Sequence, residues 1–227
     1  MPERKIDQCA LLPSILAADL LNLASEIQAV EAAGISGHHF DVMDGHYVEN
    51  LSFGVPILAA MKKTALLPID VHIMVSNPLH VASWYLDAGA DSLNFHIETC
   101  LQPAKVISLI KERKKKVGLA VHPKVPVESV FPYLEQVDQI LMMSVVPGFG
   151  GQKILDGVTD RISVLYKELT HRNLHEKVMI AVDGGVNETN IKALALSGAS
   201  IFIAGSAIYG HLDRKKAVFA LQKACKS

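Results

Sequence analysis

His39 and Asp41 stand two residues apart in the stretch His39-Phe40-Asp41-Val42-Met43-Asp44-Gly45. The run leading into it is apolar and of strand character, and alternate residues of a strand share a face, so His39, Asp41 and Met43 point to one side. An imidazole and a carboxylate so placed form either a buried hydrogen-bonded couple or a chelating pair. A similar alternation recurs in Asp70-Val71-His72-Ile73-Met74, and Asp183 is the only charge at the tip of the apolar run 178–183. Together His39, Asp41, His72 and Asp183 offer two imidazoles and two carboxylates. That mixed nitrogen and oxygen set suits one divalent metal ion, zinc, iron(II), manganese or cobalt, with positions left open for a substrate. Residue types alone do not choose the metal. Two carboxylates in one site also suit acid/base work on opposite sides of a substrate carbon.

Three glycine-rich elements come later in the chain: Pro147-Gly148-Phe149-Gly150-Gly151-Gln152, Gly184-Gly185 and Gly205-Ser206-Ala207. Glycine lets backbone N–H groups approach an anion closely, and three such turns on successive late loops point to phosphate binding.

These groups need a scaffold that brings distant stretches together. Short β-rich runs at 11–17, 37–43, 68–75, 92–96, 117–122, 139–145, 178–183 and 200–204 alternate with helical periodicity at 20–33, 55–64, 78–88, 103–115, 127–135, 154–172, 188–197 and 214–226. Gly34, Gly89 and Gly198 each end a helical segment just before a strand, where a left-handed residue is needed. Eight apolar strands alternating with helices predict an α/β fold, the (β/α)8 TIM barrel, as a single domain over residues 1–227. An open doubly wound sheet is the alternative, but Ser14-Ile15-Leu16-Ala17-Ala18-Asp19 lacks the glycine-rich nucleotide turn expected after its first strand. The ionisable and hydroxyl groups gather toward the carboxyl ends of the strands: His39, Asp41, His72, His96, His122, Ser144 and Asp183. In a barrel that rim houses the chemistry, and the loops after the seventh and eighth strands hold phosphate.

Composition excludes several function classes. The 227 residues are 50% hydrophobic and 20% charged, with a net charge of -1. Such a balance attracts neither nucleic acid nor an anionic membrane. The basic run Arg113 to Lys116 follows an apolar helical stripe and reads as a solvated helix terminus. Cys9, Cys100 and Cys225 are odd in number and widely spaced, which fits a reducing compartment without a disulfide framework. Met1 to Lys5 lacks the apolar core of a signal peptide, and no stretch reaches membrane-spanning length, so a soluble cytoplasmic protein is expected.

From about Pro13 to Tyr209 the chain resembles the ribulose-phosphate 3-epimerase family, barrels of the ribulose-phosphate-binding type. The likeness rests on Pro13 to Asp19, on His39 to His46, on Val71-His72-Ile73-Met74-Val75 and on Gly89-Ala90-Asp91. It continues through Met143-Ser144-Val145-Val146-Pro147-Gly148-Phe149-Gly150-Gly151-Gln152, Val182 to Val186 and Ala204 to Ile208. The resemblance implies a metal-dependent epimerase of the pentose phosphate pathway, which interconverts D-ribulose 5-phosphate and D-xylulose 5-phosphate through an enediolate. It implies His39, Asp41, His72 and Asp183 as metal ligands, with Asp41 and Asp183 doubling as acid/base catalysts. Ser14 and His72 are implied as substrate contacts, Met43, Met74 and Met143 as an apolar shield over the reacting carbons, and Gly148, Gly150, Gly151, Gly184, Gly185, Gly205 and Ser206 as the phosphate grip. A homo-oligomer, dimer or hexamer, is implied as well. Three positions depart from the pattern: Glu49 replaces a usual proline, Val146 a commonly polar residue, and His122-Pro123-Lys124 the usual Asn-Pro or Lys-Pro.

Other readings make different demands. A Schiff-base aldolase needs a lysine inside the rim, and the predicted strands carry none there. A decarboxylase of the orotidylate type wants Asp-x-Lys-x-x-Asp, whereas Asp70-Val71-His72 places histidine where lysine belongs. An epimerase acting on another ketose phosphate, such as allulose 6-phosphate, keeps the same residues. A non-catalytic sugar-phosphate sensor keeps the glycine loops but has no use for four metal-grade ligands. Among the remaining polar groups, Asp44 and His46 read as holding the loop after the second strand, and His96 with Glu98 as hydrogen-bond partners of the site.

Overall fold

The computed structural model describes residues 9–226. Met1 to Lys5, read above for a signal peptide, lie outside them. Eight strands alternate with helices: β1 (Ala10–Pro13), β2 (His38–Met43), β3 (Ile69–Met74), β4 (Ser92–His96), β5 (Lys116–Val121), β6 (Gln139–Met143), β7 (Met179–Asp183) and β8 (Ile201–Ala204). All pair in parallel in the order β1-β8-β7-β6-β5-β4-β3-β2. The ring is completed between the outermost two: Ser14 and His39 form a parallel bridge, and the Ser36 N–H donates to the Leu11 carbonyl at 2.9 Å. This is the (β/α)8 barrel that the alternation predicts. Among the described residues no helix is long and apolar enough to cross a membrane.

The helices around the barrel are α1 (Leu23–Ala32), α2 (Val55–Thr64), α3 (Pro78–Asp87), α4 (Pro103–Glu112), α5 (Val158–His171), α6 (Ile191–Ser197), α7 (Ser206–Tyr209) and α8 (Arg214–Lys226). Three carry proline in the first turn, where its missing N–H costs nothing. Gly34, Gly89 and Gly198 follow helices with φ of +86°, +114° and +132°. Boundaries differ from the sequence expectation in instructive ways. The first strand stops at Pro13, because the Ser14 hydroxyl accepts the Leu16 N–H and turns 15–17 into a short 3-10 helix. The segment Val127–Gln136 is 3-10 helical, since Pro132 within it cannot donate the hydrogen bond that an α-helix requires.

Strand side chains that face outward pack on the helices, with Phe40, Phe95 and Phe202 fully buried among them. The barrel interior is divided. One side is apolar, filled by Leu12, Ala120, Leu141, Met143, Ala181 and Ile203. The side formed by β2, β3 and β4 is polar, and Asp70 is its hub. Its carboxylate accepts from the Asn94 amide at 2.9 Å, from the Gln139 amide at 3.0 Å and from the Ser92 hydroxyl, and lies 2.9 Å from His39 Nδ1. A buried carboxylate is tolerated only when its lone pairs are satisfied, as they are here.

Space for this hub comes from β5. A Cβ placed on Gly118 would lie 1.7 Å from Asn94 Oδ1, so only glycine lets Asn94 reach Asp70. Gly118→Ala is expected to lower the unfolding free energy by about 1–3 kcal/mol, the usual cost of overpacking. Urea denaturation measures it, and an unchanged midpoint would remove the Asn94 contact from this role.

Candidate active site

Register on neighbouring strands assembles the site. In the β2–β3 pair His39 lies opposite Asp70 and Asp41 opposite His72, while Met143 of β6 lies opposite Asp183 of β7. The ligand atoms of His39, Asp41, His72 and Asp183 converge at the carboxyl end of the barrel, all within 4.8 Å of one another. His39 Nε2 lies 3.2 Å from Asp41 Oδ1 and 3.9 Å from Asp183 Oδ2, and His72 Nδ1 lies 3.2 Å and 3.6 Å from the same two oxygens.

The donor set fits a divalent cation. His39 Nε2 is buried and has no hydrogen-bond partner, although it faces two carboxylates. An imidazole nitrogen left bare in a buried site is costly unless something takes its lone pair. With two imidazoles and two carboxylates around one point, a metal ion meets that need, and no lysine or arginine is among the four.

Electrostatics tie the four groups together. Burial works against a charged His39, but the carboxylates of Asp41, Asp70 and Asp183 more than offset it and hold the imidazole well above its ordinary value. Burial opposes a charged His72 too, and Asp183 with Asp41 raises it. Asp41 is disfavoured as an anion by its burial, yet His39 and His72 keep its carboxyl far below the usual range. Its Oδ2 accepts the Ser14 hydroxyl at 2.5 Å. His96, whose Nε2 is 3.0 Å from His72 Nε2, is pushed down to about 4 by burial and stays neutral.

Above the ligands opens a cavity of about 280 Å3. Asp41 and Asp183 form part of its lining, and so do Ser14, Met43, Met74 and Met143; His39 and His72 are fully buried and do not reach it. Gly148, Gly150, Gly151, Gly184, Gly185, Gly205 and Ser206 also line it. Glycine is obligatory at the centre of this group. Gly184 has φ +113° and a Cβ there would lie 2.3 Å from Val145 Cγ2, while one on Gly185, φ +65°, would lie 2.8 Å from the Gln152 carbonyl oxygen. The Ser144 hydroxyl is shared between the backbone carbonyls of Asp183, at 2.8 Å, and Gly184, at 2.5 Å, and so ties the end of β6 to the glycine turn after β7.

Several contacts carry no sequence signal of their own. Asp70 supports His39 from the strand opposite, and Tyr47 reaches His96 and Glu98 from the loop after β2. Leu16, Val145, Phe149 and Ile203 complete the cavity wall. Across the mouth the Asn50 amide donates to the Gly148 carbonyl at 2.7 Å, and Asp44 accepts from the backbone of His46, Tyr47 and Ser76 at 2.7–2.9 Å. Glu49, His122 and Val146 lie together in a neighbouring hollow.

Comparison with known proteins gives this geometry a context. Residues 10–209 match the ribulose-phosphate 3 epimerase family. The ribulose-phosphate 3-epimerase of Bacillus subtilis is 40% identical over 206 residues, which span 91% of this chain and 94% of that protein. The ribulose-phosphate 3-epimerase of Aquifex aeolicus is 38% identical over 203 residues, spanning 89% and 90%. Among solved structures, KGPDC from Streptococcus mutans superposes with a TM-score of 0.73 at 13% identity, covering 96% of this chain and 97% of that one. Orotidine 5'-phosphate decarboxylase from Pyrococcus horikoshii gives 0.68 at 14% identity, covering 96% and 99%. At those identities the likeness is one of fold.

The buried charges set a pH dependence for the metal-free protein. The low carboxyl value of Asp41 contributes stability that is present above the ordinary value of about 3.9 and is lost as pH falls through its depressed folded value. The raised imidazoles of His39 and His72 contribute stability that is fully present below about 6.5 and is lost as pH rises through their folded values. Metal-free protein is therefore expected to lose stability above neutral pH, and Asp41→Asn to flatten that limb. Denaturant midpoints across a pH series test this; parallel profiles in the two proteins would contradict it.

Proposed function

The chain belongs to the ribulose-phosphate 3 epimerase family and is an isomerase, and from that premise we propose that it inverts the third carbon of D-ribulose 5-phosphate to give D-xylulose 5-phosphate, with Asp41 and Asp183 as the two acid/base groups and a divalent metal as cofactor. The observation that carries the proposal is the convergence of four ligand atoms within 4.8 Å beneath a cavity that glycine turns also line.

In this reading the substrate phosphate lies against Gly148, Gly150, Gly151, Gly184, Gly185, Gly205 and Ser206, where backbone N–H groups approach without side chains between. The reacting carbon then sits between Asp41 and Asp183. One group, as a carboxylate, takes the proton from that carbon and leaves an enediolate; the other, entering the cycle as a protonated carboxylic acid, gives its proton to the opposite face and becomes the carboxylate, so the centre inverts without the intermediate turning over. Ser14, already hydrogen-bonded to Asp41, is placed to meet a substrate hydroxyl. Met43, Met74 and Met143 give the reacting carbons an apolar cover that excludes water, and a flexible thioether fits such an irregular surface. A divalent metal would be held by His39, Asp41, His72 and Asp183, and when bound it would supply Lewis-acid stabilisation of the negative charge developing on the substrate, an effect worth several kcal/mol.

Asp41→Asn and Asp183→Asn are each expected to lower kcat by about 10²–10⁴. In deuterated water the product should carry solvent deuterium on the inverted carbon. Full retention of the substrate hydrogen would rule out two-base exchange, and undiminished turnover by thoroughly metal-stripped protein would rule out the cofactor.

A further inference from the structure

The metal centre just described needs His72 in one tautomer, and the constraint that sets it lies outside the four ligands. His72 Nδ1 faces Asp41 and Asp183, so a cation shared with them must meet a lone pair on Nδ1. The ring proton then sits on Nε2, which lies 3.0 Å from His96 Nε2. A hydrogen bond between two ring nitrogens holds one proton, so His96 Nε2 must be bare and His96 must carry its own proton on Nδ1. On that side stand a carboxylate oxygen, Glu98 Oε1 at 2.7 Å, and the Tyr47 hydroxyl at 2.9 Å. The hydroxyl donates to the same Glu98 oxygen at 2.6 Å, which leaves Nδ1 facing acceptors only. His39 has a shorter version of the same arrangement: its Nδ1 is 2.9 Å from Asp70, and its unpartnered Nε2 faces the site.

We propose that His96 and Glu98 are positioning residues for His72: Glu98 keeps the His96 proton on Nδ1, and the bare His96 Nε2 keeps the His72 proton on Nε2, leaving His72 Nδ1 free to bind a divalent cation. The inference rests on the metal reading above. A polar partner behind a ligating imidazole orients the ring and raises its basicity, and its loss weakens metal binding. Asp70 does this for His39 directly. For His72 a second histidine is interposed, because Glu98 is carried past the end of β4 on the turn Ile97–Thr99 and stands at the barrel rim.

Cobalt(II) binding to the whole protein tests this, together with nitrogen NMR of the metal-free protein at alkaline pH, where long-range proton–nitrogen couplings report each histidine tautomer. Glu98→Ala is expected to raise the Co(II) dissociation constant about 10- to 100-fold and to turn His72 into a tautomer mixture. His96→Phe, which removes the acceptor, should do the same, whereas His96→Gln, whose amide oxygen can stand where Nε2 stood, should bind Co(II) nearly as the parent does. Should the buried His96→Phe change prevent folding, Glu98→Ala at the rim still carries the test. Unchanged Co(II) affinity in Glu98→Ala, or His72 still protonated solely on Nε2, overturns the proposal. A parent protein that takes up no Co(II) sinks the metal reading instead, and the tautomers then decide the role of His96 and Glu98 without it.

Discussion

The structure depends on one electrostatic constraint: three carboxylates, Asp41, Asp70 and Asp183, and three imidazoles, His39, His72 and His96, share the upper interior of a barrel from which water is largely excluded. Isolated charges there would cost several kcal/mol each. They are tolerated because each has partners of opposite charge or matching hydrogen-bond sense within about 4 Å. The pattern of those partners is directional. Asp70 satisfies His39 from below, Ser14 satisfies Asp41 from just past β1, and His96 satisfies His72 from β4, so the one buried atom of this set left without a partner, His39 Nε2, faces Asp41 and Asp183.

That constraint explains the asymmetry of the interior. A barrel of this size needs its centre filled, and aliphatic side chains from β1 and β5 to β8 do so on one side. On the other, β2 to β4 give that volume to Asp70, Ser92 and Asn94, a network that holds the base of His39 and needs Gly118 opposite to make room. Rigidity below thus serves geometry above. The ring closes at the same place: the bridge between Ser14 and His39 joins the last open pair of strands one residue past β1, and Ser14 also meets Asp41.

The loops at the mouth follow the same logic with backbone rather than charge. Asp44 binds the turn after β2 to Ser76 after β3, and Asn50 binds it to Gly148 after β6. Ser144 joins the ends of β6 and β7 by donating to the backbone carbonyls of Asp183 and Gly184. The proposed reaction, which needs a phosphate held at one end and a carbon between two carboxylates at the other, would tolerate little play, since misplacement by an ångström costs heavily in rate.

Much of this was already legible in the order of residues. Alternation of strand and helix fixed the barrel, period-two spacing put His39 with Asp41 and Asp70 with His72 on inward faces, and late glycines marked where backbone could approach a ligand, because these are local properties of spacing and residue type. Only the tertiary structure decided that Ser14 leaves the first strand to begin a turn, that Pro132 makes its segment 3-10 helical, and that Tyr47 leans on His96 from another loop. It also decided that Asp70, two residues from His72, serves His39 instead. Partner choice of that kind depends on the stagger of neighbouring strands and on rotamers set by packing. Both arise from contacts between residues far apart in the chain, and neither is written in any short stretch of it.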